Sequence, residues 1–125
     1  MAKRVFISFD YDNDVDLKNG LVGQAKLPDS PFVIEDWSVK DASPGWKADA
    51  LARIKRSDLV IVICGEYMAT ATGVDEEIRL AREAGKDVIL LSGRGEDSAR
   101  PKEGSGKKLY KWTWDNLKAL IGGAR

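Results

Sequence analysis

The sequence predicts an α/β protein built on a central parallel sheet, and three observations carry that prediction. Short β-branched or aliphatic runs alternate with helical patterns along the chain. One run, "DLVIVIC" at 58–64, is almost continuously apolar, as a parallel strand buried on both faces should be. The length of 125 residues suits one compact domain, 1–125, with one core.

The elements follow in order. "RVFISF" at 4–9 is the first strand. Asp14 is the candidate N-cap of a first helix in which Leu17, Leu21 and Ala25 recur at four-residue spacing. "PFVIED" at 31–36 is the second strand. Trp46, Ala50 and Ile54 repeat the helical spacing after Ser43, a candidate N-cap, and Pro44 at the first turn. After the third strand at 58–64 a helix is expected from about Gly73 to Ala84, then a strand, "DVILLS", at 87–92. "GRGEDSARPKEGSGKK" is rich in glycine and charge and reads as a mobile surface loop. "TWDNLKALIGG" is a last helix with glycines at its stop, and Trp112 and Trp114 beside it read as core anchors. The strand–helix alternation favours a flavodoxin-like, three-layer order with four to five strands and the first strand beside the third. Ligands in such sheets bind at the carboxyl ends of strands near the switch point. The loops after the first three strands are therefore the candidate site.

Composition narrows the chemistry. Lys plus Arg number 20 and Asp plus Glu number 20, so no net field recruits nucleic acid or an anionic membrane. No apolar run approaches a membrane span, and the basic start "MAKR" leads into a strand rather than a signal peptide. The single cysteine, Cys64, excludes a disulfide framework and fits a reducing cytoplasm. Histidine is absent, which removes histidine-based nucleophilic catalysis, histidine-ligated zinc and histidine acid–base work.

The run "GVDEEI" sets Asp75, Glu76 and Glu77 side by side. On a helical wheel advancing about 100° per residue, Asp75, Glu76, Arg79, Arg82 and Glu83 share a solvated arc. Val74, Ile78, Leu80, Ala81 and Ala84 share the apolar arc, and Glu77 falls inside it. Asp75 and Glu76 are explained as first-turn acids that complement the helix dipole after Thr72. Glu77 is costly on a buried face. It is either paired with an arginine or backbone amides, or it is a carboxylate at the floor of the switch-point cleft.

Other loops offer further parts. Asp36, Trp37 and Ser38 place an acid, a flat aromatic and a hydroxyl beyond the second strand, with Trp37 either a base-stacking surface or a loop anchor. Phe9 and Asp10 end the first strand. Asp10, Asp12 and Asp14 alternate like a calcium loop, but the glycine and distant glutamate of an EF-hand are missing. Turns and an N-cap are the simpler expectation, with no metal site. No glycine-rich phosphate loop of Walker or dinucleotide type is present.

The blocks "RVFISFDYDNDVDLKNGL", "PFVIEDWSVKD", "SDLVIVICGEYMATATGVDEEIRLAREAGKDVILL" and "LYKWTWDNLKALI" together resemble the TIR-like proteins of the ThsB type, components of bacterial Thoeris antiphage defence. The resemblance runs over nearly the whole chain. It implies a TIR-type fold and the use of NAD⁺ as a substrate, with no further cofactor. TIR enzymes cleave the nicotinamide–ribose bond with one essential glutamate, whose position corresponds to Glu77. The same resemblance implies a cyclic ADP-ribose-type signal received by a separate effector, a phage-derived trigger and self-association on activation. The NAD⁺ site is then expected to draw on Ser8, Phe9, Asp10, Asp36, Trp37, Ser38 and Gly65. Many TIR enzymes carry an aromatic shortly before the glutamate where this chain has Gly73, so Trp37 or Phe9 is expected to wall the nicotinamide side. The alternative is a non-enzymatic TIR interaction module. A phosphorylatable receiver-like domain is disfavoured, because Cys64-Gly65-Glu66 stands where an aspartate should end the third strand.

Overall fold

A computed structural model describes residues 2–38 and 44–123. Five parallel strands form one sheet in the order β2-β1-β3-β4-β5. The strands are β1 (Lys3–Ser8), β2 (Phe32–Trp37), β3 (Leu59–Cys64), β4 (Asp87–Ser92) and β5 (Leu109–Lys111). The helices are α1 (Val15–Ala25), α2 (Trp46–Arg56), α3 (Thr72–Glu83) and α4 (Trp114–Ile121). The flavodoxin-like, three-layer expectation holds, with β1 beside β3 and the order reversing between them. The short β5 lies within the expected range of four to five strands.

Each face of the sheet has its own core. Val5, Ile7, Ile61, Ile63 and Leu91 meet Leu17 and Leu21 of α1 and Leu117 and Leu120 of α4. Phe6, Val60, Val62 and Leu90 meet Ala50 and Ile54 of α2 and Val74, Ile78 and Ala81 of α3. All six β3 residues are buried, because helices cover that strand on both sides. Trp112 and Trp114 pack against the first core while their indole N–H groups donate to Gln24 (2.8 Å) and Asp29 (3.1 Å).

One irregularity positions much of the site. Val5 pairs with Ile34, but the next residue, Phe6, pairs with Asp36, so Glu35 is an extra residue on β2. Side chains alternate faces along a strand, and one inserted residue reverses every assignment after it. Asp36 is thereby carried to the α2 side and Trp37 to the α1 side.

Three local readings need correction. The segment 93–108 lies at the surface as expected but makes two 3₁₀ turns, Gly95–Asp97 and Lys102–Gly104, the second against α3, and buries Pro101 and Gly104. Its polar side chains bond nearby backbone: Ser98 Oγ accepts from the Arg94 N–H at 2.8 Å and Arg100 Nε donates to the Lys107 carbonyl at 2.9 Å. Asp75, expected on the solvated arc, is 6 % exposed. The Lys102–Gly104 turn covers it, and its carboxylate accepts the Glu103 N–H at 3.0 Å. Helix α3 begins at Thr72, with Ala71 at the cap position and no side-chain cap. Helix α2 has Gly45 at its cap position, and Ser43 lies outside the described residues.

Asp75 thus serves the fold. Asp75→Ala should lower stability by about 1–2 kcal/mol, since it leaves a covered N–H without its acceptor. The exposed Glu83→Ala should stay within about 0.5 kcal/mol. Urea unfolding of both variants checks the difference; equal midpoints would contradict it.

Candidate functional site

Glu77 lies on the α3 face turned to the sheet and is 2 % exposed. Ser8, the last residue of β1, donates its hydroxyl to Glu77 Oε1 at 2.7 Å. Ser38, one residue beyond β2, donates its hydroxyl to the same oxygen at 2.6 Å. The Ser38 hydroxyl also accepts the Phe9 N–H at 3.2 Å, and the Ser38 N–H continues the ladder to Ile7 O at 2.9 Å. Two adjacent strand ends therefore hold one carboxylate oxygen. The β2 bulge is what brings Ser38 to this face, beside Ser8.

Burial pushes the Glu77 carboxyl up to about 7, against the opposing pull of the Ser38 and Ser8 hydroxyls and the Arg53 charge. Arg53 is itself held by Asp36 at 3.2 Å. Cys64 offers no competing nucleophile, because burial raises its thiol to about 12.

A cleft of about 740 Å³ opens above Glu77. Phe9, Ser38 and Glu77 line it from the sheet side, Asp10–Asn13 from the loop after β1, and Thr70–Val74 from the start of α3. Trp46 at the start of α2 and Asp75, Glu76 and Arg79 of α3 also line it. The uncapped amino end of α3 gives this cleft a positive dipole end.

The other expected residues sit as follows. Asp10 shapes the loop: its carboxylate accepts the Asp12 N–H at 3.2 Å and the Asn13 side chain at 2.7 Å, an Asx-type turn. Trp37 is away from the cleft, on the α1 face, with Lys18 Nζ 4.6 Å from its ring centroid. Asp36 faces α2 through Arg53. Gly65 follows β3, and a Cβ there would fall 2.0 Å from Asp14 Oδ2, so only glycine admits that carboxylate. Asp14 occupies the α1 cap position, yet its side chain caps no amide. It turns inward to Arg94 at 3.3 Å, and Arg94 also grips Asp16 at 2.8 Å. The loop after β1 is thereby tied to the loop after β4. Among the described residues no group of three or more acids or cysteines is placed to hold a metal ion.

Trp46, Tyr11 and Arg79 line the cleft without being among the expected site residues, although Tyr11 and Trp46 stand in the loops after the first and second strands that are expected to form it. Trp46 carries a sequence signal in hindsight: it is a large aromatic on the first turn of a helix that starts at the carboxyl end of the sheet.

The family model for the TIR-like domain of Thoeris protein ThsB matches residues 6–98, about three-quarters of the chain and every element that forms the cleft. The chain belongs to the ThsB family of TIR-like proteins. A solved structure agrees on the fold: the TIR domain of the Toll-related receptor TRR-2 from Hydra magnipapillata superposes with a TM-score of 0.60. That match covers 94 % of this chain and 90 % of the receptor domain at 16 % identity, and it speaks for architecture alone. No curated protein matches the chain significantly. In this ThsB-type domain, no described helix is long and apolar enough to cross a membrane.

The raised Glu77 carboxyl makes a stability prediction with a definite sign. The folded form keeps a proton that the unfolded chain releases above its ordinary value of 4.5, so this contribution is full below that pH and is lost as pH rises through about 7. Glu77→Gln keeps an acceptor for both serines and removes the buried charge. It should be more stable than the parent at pH 8 by on the order of 3 kcal/mol, an advantage that shrinks toward pH 5. Thermal unfolding at both pH values measures this; a pH-independent gap would rule out Glu77 as its source.

Proposed function

We propose that this ThsB-type domain cleaves NAD⁺ at the nicotinamide–ribose bond and closes the ADP-ribose part into a cyclic signal for a separate effector. The placement of Glu77 supports the reading: a single buried carboxylate, one oxygen gripped by two serines, at the floor of a cleft at the sheet's switch point.

The chemistry asks for little else. The bond from the anomeric carbon to the pyridinium nitrogen breaks, and its electron pair neutralises the ring. Nicotinamide then leaves neutral without a general acid. The ribose passes through an oxocarbenium-like state, as in glycoside cleavage. Glu77, ionised, stabilises that positive charge in a partly dry site. Ser8 and Ser38 hold Glu77 in place, and the amino end of α3 favours the diphosphate. Capture of the anomeric carbon by water, which loses a proton, gives ADP-ribose. Capture by a hydroxyl within the ADP-ribose part, which likewise loses its proton to solvent, gives a cyclic product, and water exclusion decides between them.

Incubation with NAD⁺, with and without extract from phage-infected cells, should release nicotinamide and form a cyclic ADP-ribose product detectable by mass spectrometry. Glu77→Gln should reduce release by at least about a hundredfold. Because the ionised form acts, kcat/KM should rise with pH through about 7. Ser38→Ala should move that midpoint higher, as it removes a hydrogen bond that favours the charged form. Unchanged turnover in Glu77→Gln sinks the assignment. Absence of turnover under every condition leaves a TIR interaction module instead.

The proposal includes activation by self-association. Specific activity should then climb with protein concentration alongside the mass seen by light scattering. A monomer with concentration-independent specific activity would refute it.

A further inference from the structure

Trp46 opens α2, is half-buried, and lines the cleft that Glu77 floors. Gly73 lies four residues before Glu77, hence about one turn away on the same helix face, about 6 Å along the axis. A Cβ on Gly73 would stand 3.9 Å from Trp46 Cζ2, an ordinary contact. The six-membered edge of the indole therefore rests beside a bare turn of α3, one turn from the carboxylate. Ion pairs steady this arrangement: Lys47, next to Trp46, reaches Glu76 at 3.5 Å, and Glu76 also pairs with Arg79.

We propose that Trp46 is the surface on which this cleft stacks the pyridinium ring of NAD⁺, with Gly73 keeping the space beside the indole open. The inference rests on the glycohydrolase reading and supplies its leaving-group site. An anomeric carbon held against Glu77 forces the ring it carries into the next few ångströms of the cleft, where the indole stands. Tryptophan is the best aromatic partner for a cation, and the pyridinium is cationic only until the bond breaks. Trp46 thus holds substrate more tightly than the neutral product. Trp37 cannot serve in this way, since it lies on the other face of the sheet under the Lys18 ammonium.

The test titrates NAD⁺ into the full chain carrying Glu77→Gln, with calorimetry for affinity and tryptophan fluorescence for location. Adding Trp46→Ala should weaken binding at least about tenfold, the loss expected for one stacked ring. Trp46→Phe retains a ring, so affinity should stay within about threefold of the parent while the NAD⁺-dependent quench disappears. Gly73→Ile should weaken binding about tenfold by filling the slot, whereas Gly73→Ala, whose methyl fits, should stay within about threefold. Trp46→Ala binding as tightly as the parent, or a quench that survives Trp46→Phe, overturns the inference. The two proposals fail separately. Nicotinamide release with an unchanged KM in Trp46→Ala removes Trp46 and spares the glycohydrolase. Trp46-dependent binding without release by the unsubstituted protein removes the glycohydrolase and spares the stacking site. No saturable NAD⁺ binding overturns both.

Discussion

Everything at this site depends on keeping one carboxylate inside the protein. A buried, unpaired carboxylate is unfavourable enough that it either finds donors or keeps its proton. Glu77 does some of each: two hydroxyls converge on Oε1, and its carboxyl is still raised to about 7. The donors come from two neighbouring strands, and they coincide only because β2 carries one extra residue. Without that bulge Ser38 would face α1, and Trp37 would face α2. The strand register is therefore part of the site, since a slip of one residue would strip Glu77 of a donor.

The loops around that carboxylate are held by interactions far from it. Gly65 leaves room for the Asp14 carboxylate, which Arg94 holds together with Asp16. That clamp fixes the far end of the Asp10–Asn13 loop, one wall of the cleft. On the other side of α3, Asp75 and Arg82 bind the Lys102–Gly104 turn at Glu103. The helix carrying Glu77 is thus pinned from outside while its inner face meets the serines. Asp14 Oδ2 finds no hydrogen-bond partner among the described residues, and burial raises the pKa of this carboxyl.

What could be read from the sequence follows from the range of the forces involved. The first four strands and the four helices came from local periodicity and lie within a residue or two of the observed bounds, whereas the three-residue β5 is too short to show a period and was not located. The burial of Glu77 was legible for the same reason: helical phase is a property of α3 alone. Asp75 falls on the solvated arc of the wheel although it is buried, because its burial depends on a turn made by residues much later in the chain, which helical phase does not encode. The sides taken by Asp36 and Trp37 depend on a bulge visible only once β1 and β2 are paired. The segment 93–108 reads as a surface loop by composition, yet Ser98 and Arg100 bond backbone groups within it, Arg94 reaches Asp14 and Asp16, and Glu103 pairs with Arg82. Trp46 falls in a helical repeat with Ala50 and Ile54, and periodicity alone does not tell which turn of a helix borders a cleft.

On the proposed function, the burial of Glu77 also couples ionisation to substrate. With the cleft empty, desolvation favours the protonated form at or below neutral pH, and no histidine is present to share the proton. A pyridinium ring stacked on Trp46 would bring positive charge within one helical turn of the carboxylate, which favours its charged form. Thermodynamic linkage then requires the converse: whatever ionises Glu77 strengthens binding of the cation. Once the bond breaks, the ring loses its charge while the ribosyl carbon gains it. The attraction passes from the departing ring to the atom beside Glu77, so the same buried carboxylate favours the transition state and lets the neutral product go.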